Sequence, residues 1–367
     1  MRLRRVLLTV HRWLGLTAGL VLLVSGTTGA LLVVLKPIDR WANAALFRVP
    51  PAATAAPIAS MLDRLQAEHP GADISLRLPR APGDSLVAYV KGDRDLQAYF
   101  DPADGRLLGT REATEGVYNF VFELHSELLA SQGGRKVLAA AALGYAFLFG
   151  VGLILWWPRD ARLGRALRVR WGRAATVVTL DLHRTAGALL GVLLLVSAAS
   201  GAYMAWRPIS HWVDALSGAT AAAVPRVQPA EQRLGADAVL RLADDAMPGG
   251  RLSILQWPGD PTRAVRVRKQ LPDEVHPNGL SSVWVDPYAG RVVAQWQWNE
   301  PPPGTRAFQW MYPLHTGALG GVVHEALTFV LGLVLAALGG SGIWLWWRGR
   351  AARAAGARRA LIREPTT

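Results

Sequence analysis

Eight histidines lie in this 367-residue chain, and four of them recur in matched surroundings. His11-Arg12 returns as His183-Arg184, and Leu124-His125-Ser126 returns as Leu314-His315-Thr316. His11 and His183 each stand three residues before a long apolar run, whereas His125 and His315 each stand 31 residues before a tryptophan pair, Trp156-Trp157 or Trp346-Trp347. Two neutral imidazoles facing one another across a helical bundle fill the two axial positions of a low-spin haem iron. The pattern therefore predicts two b-type haem groups, one ligated by His11 and His183 and the other by His125 and His315. A histidine at a membrane boundary can also merely anchor among headgroups or cap a helix; the symmetric pairing weighs against that. His324 opens the last apolar run, where the first half of the chain has Gly134, and it is the substitute outer ligand if His315 does not serve. Arg12 and Arg184 could hold haem propionates, and lipid phosphate is an equal alternative. His69, His211 and His276 have no repeat partner, and His69 and His276 read as solvent-exposed loop residues. Met204 and Met311 read as packing.

Other chemistries find little support. No Ser/His/Asp nucleophile pattern, phosphate loop, dinucleotide fingerprint or complete H-E-x-x-H motif is present. Cysteine is absent, which excludes disulfides, thiolate zinc sites, cysteine-ligated iron–sulfur clusters and haem attached through C-x-x-C-H.

The elements that must position the histidines are four apolar runs of 21 or 22 residues: Leu14 to Leu35, Val137 to Trp157, Ala186 to Trp206 and Ala326 to Trp347. At about 1.5 Å per helical residue each reaches about 30 Å, the thickness of a hydrocarbon core. The first run is longer than a signal-peptide core and is repeated in mid-chain by the third, so it reads as a span. The net charge of +13 is concentrated in three short segments: the N-terminus, the Pro158–Thr179 link and the tail after Trp347. Pro37 to Lys136 carries 11 basic against 13 acidic residues, and Pro208 to Val323 carries 10 against 10. That distribution marks a cytoplasmic face and not a nucleic-acid surface. Both termini are expected inside, in a multi-pass bacterial inner-membrane protein, with two large segments in the periplasm.

The chain is also duplicated. LVLLVSGTTGA in the first span recurs as VLLLVSAASGA in the third, Asp101-Pro102-Ala103-Asp104-Gly105 recurs as Asp286-Pro287-Tyr288-Ala289-Gly290, and the histidine and tryptophan motifs follow in the same order. Two spans per copy give both copies the same orientation, so the spans are expected to form one bundle around a cofactor. Gly15, Gly19, Gly26, Gly29, Gly187, Gly191 and Gly201 would admit close backbone or ring approach there. The long segments read as α+β. Ile58 to Glu68 and Ala236 to Ala246 have helical periodicity, and Leu86 to Val90, Leu96 to Phe100, Ala264 to Arg268 and Ser282 to Val285 read as strands. The expected organisation is span 1 (1–36), external domain (37–136), span 2 (137–157), basic loop (158–179), span 3 (180–207), external domain (208–323), span 4 (324–347) and basic tail (348–367). The fold class is a mainly α membrane protein: a four-helix bundle from two tandem repeats carrying two small α+β domains.

In its HRWLGL start, its strands ending in DPADGRLLG and DPYAGRVVAQ, its LHSELL and LHTGAL segments and its WWP and WWR helix ends, the chain resembles the PepSY-associated transmembrane family over nearly its whole length. The resemblance implies PepSY-like external domains and a link to iron and siderophore uptake, with some members haem-containing ferric-siderophore reductases. It implies a haem-dependent oxidoreductase that passes electrons across the membrane to a periplasmic ferric-siderophore. The flavodoxin-like or flavin-reductase extension of some relatives is not found here, which leaves the electron donor open between a quinol and a cytoplasmic reductase. Membrane lipid is the other expected partner. The alternatives are a non-enzymatic protein binding peptides or envelope partners through its external domains, and a siderophore permease; the absence of charge within the span cores counts against the permease.

Overall fold

A computed structural model describes residues 2–51, 56–158, 162–219 and 223–363, with side chains as far as residue 355. Arg159 in the basic link, parts of the two Ala/Pro linkers and the side chains of Arg358, Arg359 and Arg363 lie outside the described residues. The chain divides into two compact units, residues 1–33, 124–206 and 315–367 in one and 34–123 and 207–314 in the other.

The first unit is helical. Four of its helices are long and apolar enough to cross a membrane: α1 (Arg2–Ala42), α5 (Ser131–Trp156), α7 (Ala175–Ala205) and α12 (Gly321–Arg363). Each overruns its apolar run at one end or both. Helix α1 continues through Pro37, where the sequence suggested a boundary; proline removes only one helical donor, and Asp39 beyond it is tied to Arg111 at 2.9 and 3.1 Å. Ala18, Leu22, Tyr145, Leu148, Leu194 and Leu331 form the bundle's buried cluster. Glycine sets the closest helix approach: a Cβ on Gly26 would lie 2.7 Å from the backbone of Ala336 and Gly332, and one on Gly339 would lie 2.6 Å from the Gly19 carbonyl. Two short helices complete the parts nearest the histidines, α4 (Gly116–Glu127) before α5 and α11 (Phe308–Thr316) before α12, and α6 (Leu163–Ala166) lies in the basic link.

The second unit is a helix-covered antiparallel sheet. Its strands are β1 (Asp73–Arg77), β2 (Leu86–Lys91), β3 (Leu96–Phe100), β4 (Leu107–Glu112), β5 (Arg251–Trp257), β6 (Val265–Gln270), β7 (Ser281–Asp286) and β8 (Arg291–Trp296). They run in the order β4-β3-β2-β1-β5-β6-β7-β8. The expected pair of separate small domains is thus one eight-stranded sheet, joined where β1 pairs with β5 through Ile74–Trp257 to Arg77–Ile254. An unpaired edge exposes a row of peptide N–H and C=O groups, and pairing two such edges satisfies both. Helices α3 (Ile58–Glu68) and α9 (Ala236–Ala246) cover one face, burying Met61, Leu62, Leu65, Val239, Leu240 and Ala243 against Leu76, Ala88, Leu255 and Val267. The Asp237 carboxylate accepts from the Ile58 and Ala59 backbone N–H groups at 2.9 Å, capping α3 from the other half. Helices α2 (Ala44–Phe47), α8 (Pro208–Leu216) and α10 (Pro303–Arg306) complete the unit.

Candidate functional site

The four repeated histidines meet in two pairs inside the helical unit. His11 on α1 and His183 on α7 have ring centroids 6.4 Å apart with planes at 86°. His125 on α4 and His315 on α11 have centroids 5.9 Å apart with planes at 36°. A metal–imidazole bond of about 2.0–2.1 Å on each side would put two centroids roughly 6 Å apart, so both separations suit one iron held between two rings. Gly29, which packs against His125, is 18 residues beyond His11 on α1. At the helical rise that separation places the two pairs about 27 Å apart along the bundle, close to the thickness of a hydrocarbon core.

Second contacts fix the His125 and His315 rings. The His125 Nδ1–H donates to the Ser25 carbonyl at 3.1 Å and lies 3.0 Å from Thr28 Oγ1. The His315 Nδ1–H donates to the Ser197 carbonyl at 2.9 Å and lies 3.3 Å from Ser200 Oγ. A carbonyl can only accept, so each Nδ1 carries the proton and each Nε2 keeps its lone pair, the tautomer a metal requires. The arrangement is the same in both copies because Ser25-x-x-Thr28-Gly29 and Ser197-x-x-Ser200-Gly201 present the same helix face. The inner pair is less even. His183 Nδ1 lies 2.8 Å from Ser341 Oγ, whereas His11 has no matching hydroxyl, because Val151 stands at the place of Ser341.

Each ring also rests on a glycine of a neighbouring helix. A Cβ at Gly29 would come within 3.0 Å of His125 Cε1, at Gly201 within 2.6 Å of His315 Cε1, at Gly152 within 3.2 Å of His11 Cε1 and at Gly342 within 3.7 Å of His183 Cε1. Gly29 and Gly201 were singled out from sequence for ring approach. Gly152, Gly342, Ser341 and the Ser/Thr pairs were not, although the repeat offsets would have matched them.

The other predicted residues are placed differently. His324 joins neither pair; its ring lies beside Gly320 within its own turn. Arg184 is half-buried and lines a cavity of about 860 Å³ with Arg4, Trp156 and Trp157, whereas Arg12 is exposed. His276, expected in an exposed loop, is buried 4.8 Å from the Tyr312 ring, and its Nδ1 accepts from the Asn278 backbone N–H at 3.1 Å. Burial and the positive charge of Arg268, Arg80 and Arg77 push it down to about 3, so it is neutral at physiological pH. The donor sets of the two pairs fit haem: two imidazoles each, with Nε2 left free at His125 and His315 by the Nδ1–H bonds to Ser25 and Ser197.

The family model of the PepSY-associated TM region matches residues 8–349. Among the curated proteins none matches this chain.

Proposed function

The chain belongs to the family of the PepSY-associated TM region, and on that premise we propose that it is an inner-membrane haem b protein that carries electrons outward to reduce a ferric chelate. The observation that supports this reading is the two histidine pairs, each about 6 Å between centroids and set near opposite ends of the bundle. In this reading His11 and His183 hold one haem and His125 and His315 the other, and Arg184 holds a propionate of the inner one. Haem iron, when bound, supplies reversible one-electron storage at each depth. The chain's own part is to present Nε2 lone pairs, to fix the rings through Nδ1 and to leave glycine-lined room beside them. The span cores hold no Asp, Glu, Lys or Arg, so charge crosses as electrons and no ion path is needed.

One electron, supplied by a quinol or a cytoplasmic reductase, converts one bound Fe(III) to Fe(II), which hard oxygen donors hold less tightly and release. The arginine-rich segments lie on the cytoplasmic side and the sheet unit in the periplasm. The test is anaerobic. The haem is reduced chemically, a panel of ferric siderophores is added, and haem reoxidation and trapped Fe(II) are followed together. Reoxidation matched one for one by Fe(II) is the expected result. Haem that stays reduced with every chelate yet is reoxidised by a quinone would redirect the assignment to another membrane electron-transfer role, and the lack of any Soret band after expression with ample haem would end it. His125→Ala and His315→Ala should remove one and the same haem, while His324→Ala should spare it.

A further inference from the structure

Five arginines gather on the face of the sheet turned away from α3 and α9. Strand side chains alternate, and Leu76, Leu255, Val265 and Val267 enter the helix-covered core, so Arg77, Arg266 and Arg268 project from the opposite face, where the register shift between Leu252 and Ile254 also brings Arg251, opposite Gln270. In register, Ile254 is the β-partner of Arg77 on one side and of Arg268 on the other. With strands about 4.8 Å apart, those two guanidinium stems flank a strip about 10 Å wide. Two aromatic rings border it, Tyr89 under Arg77 at 4.9 Å and Trp284 under Arg266 at 5.0 Å. Arg80 reaches in from the β1–β2 loop and donates to the Asn278 side-chain oxygen.

These arginines lack the partners that others in the same unit have. Arg40, Arg111 and Arg263 are ion-paired with Asp84, Asp39 and Asp73, but among the described residues none of the five is in an ion pair. They donate to neutral groups instead: Arg266 to Ser282 Oγ at 3.0 and 2.8 Å, Arg251 to Gln270 Oε1 at 2.7 Å and to the Pro277 carbonyl at 3.4 Å, and Arg268 to the Gly279 carbonyl. Three of their nitrogens, Arg77 Nε, Arg251 Nη1 and Arg268 Nε, are buried with no partner at all. The one carboxylate acting on Arg268, that of Glu274, is engaged with the Leu280 and Ser281 backbone N–H groups at 2.7 and 3.0 Å and with the Ser281 hydroxyl. Burial pulls Arg266 and Arg268 down to about 10 and about 9, helped by the charge of Arg207 at Arg266 and of Arg266, Arg77 and Arg207 at Arg268, so both stay charged at neutral pH. Gathered, desolvated cations with unused donors are costly unless an anion completes them.

We propose that Arg77, Arg251, Arg266 and Arg268, with Arg80 at the rim, form a binding site for a small polyanion bearing carboxylate or phenolate oxygens. Planar guanidinium forks match such oxygens two at a time, and the flanking Tyr89 and Trp284 suit a ligand with flat or aromatic parts. As a statement about substrate, that the chelate reduced is a negatively charged one, this rests on the proposed function; as a statement about binding it rests on the sheet alone.

Binding is therefore measured without electron transfer. The full-length protein, haem left oxidised, is placed in nanodiscs of zwitterionic lipid and titrated with a gallium(III) tris-catecholate complex and, separately, with an uncharged gallium(III) trihydroxamate. Trp284 fluorescence and calorimetry report the binding. The catecholate complex should bind and the hydroxamate should not. Arg266→Gln and Arg268→Gln should each weaken binding about ten-fold, the loss expected for one charged hydrogen-bonding partner, Arg268→Lys should weaken it less, and the ion-paired Arg263→Gln should leave it unchanged. Without ligand the Gln variants should unfold no earlier than the parent, because they relieve repulsion. Equal affinity for the two complexes, or Gln variants that bind like the parent, would overturn the proposal. Loss of binding when phosphatidylglycerol is added to the discs would also overturn it, by assigning the site to a lipid headgroup. Binding that follows this pattern without any electron transfer would leave the site standing and sink the reductase reading alone.

Discussion

Alanine at each of the four glycines beneath the histidine rings should separate helix propensity from ring packing. Glycine to alanine within a helix gains about 0.5–1 kcal/mol where there is room. At Gly342 there is room, since the new carbon would lie 3.7 Å from His183 Cε1, an ordinary contact. At Gly201 it would lie 2.6 Å from His315 Cε1, which is 0.8 Å inside the 3.4 Å limit of ordinary contact. The ring cannot step aside freely, because its Nδ1–H is held by the Ser197 carbonyl at 2.9 Å, and breaking that bond costs about 1 kcal/mol. Overpacking adds about 1–3 kcal/mol, so Gly201→Ala should be net destabilising by about 1–3 kcal/mol and Gly342→Ala stabilising by about 0.5–1 kcal/mol. Gly29→Ala and Gly152→Ala should fall between, in that order, at 3.0 and 3.2 Å. Thermal unfolding in detergent gives the stabilities, and the visible spectrum after haem reconstitution should show loss from the outer pair alone in Gly201→Ala. Equal damage from Gly342→Ala, or a full propensity gain at Gly201, would refute the packing argument.

Four further outcomes follow from the same geometry. Val151→Ser supplies His11 with the hydroxyl that His183 has in Ser341; a better-oriented imidazole is a stronger donor, so under the proposed function the potential of a haem held by His11 and His183 should fall, by at most about 40 mV for a bond worth about 1 kcal/mol, while that of one held by His125 and His315 stays unchanged. Asp39→Asn leaves the nearly buried Arg111 guanidinium without its counter-charge and should cost about 3–5 kcal/mol, read as earlier unfolding or faster proteolysis of the sheet unit. Ser131 adopts φ 47° where the matching residue of the second copy is Gly321 at φ 58°, so Ser131→Gly should stabilise by about 1 kcal/mol in the same unfolding assay. His276 cannot take up a proton in the fold until about pH 3, whereas the unfolded chain does so near 6.5; stability contributed there is present above about 6.5 and lost as pH falls toward 3, and His276→Gln should flatten that part of the pH profile.

Periodicity and punctuation carried the local part of this fold. Helices α3 and α9 have the bounds the sequence suggested, because a wide apolar stripe is cut off by His69-Pro70 in one and Met247-Pro248 in the other. Strands β2, β3, β6 and β7 were legible within a residue or two, since each is a β-branched or aromatic run beside a turn. Strands β1, β4, β5 and β8 were not. Asp73-Ile-Ser-Leu-Arg77 and Leu107-Leu-Gly-Thr-Arg-Glu112 have weak alternation of their own and become strands through their neighbours' hydrogen bonds. The β1–β5 seam brings residues about 180 positions apart into register, which no local pattern encodes. His276 was misplaced for the same reason: its cover, Tyr312, comes from a distant helix. The histidine pairs were legible only through the repeat, because an isolated histidine three residues before a span says nothing about what faces it.

The duplication explains why neither half would serve alone. Each half of the chain contributes one histidine to each pair, so under the proposed function a single half would offer each haem iron only one axial ligand. It likewise ends its four-stranded half-sheet on a bare edge, β1 or β5, whose only partner is the edge of the other copy. Even the α3 cap is lent across, by Asp237. Where the halves have diverged, the changes are local: Val151 for Ser341 removes the hydroxyl beside His11 while His183 keeps its own, and Ser131 for Gly321 strains one turn of two. The arginine strip also spans the seam, since Arg77 comes from β1 in one half and Arg251, Arg266 and Arg268 from β5 and β6 in the other. What duplication produced here is therefore a set of shared half-sites. A lesion that separates the two halves at the seam should take Arg77 and the Tyr89 ring from the strip while leaving Arg251, Arg266 and Arg268 together, whereas substitution of one arginine removes only its own donors.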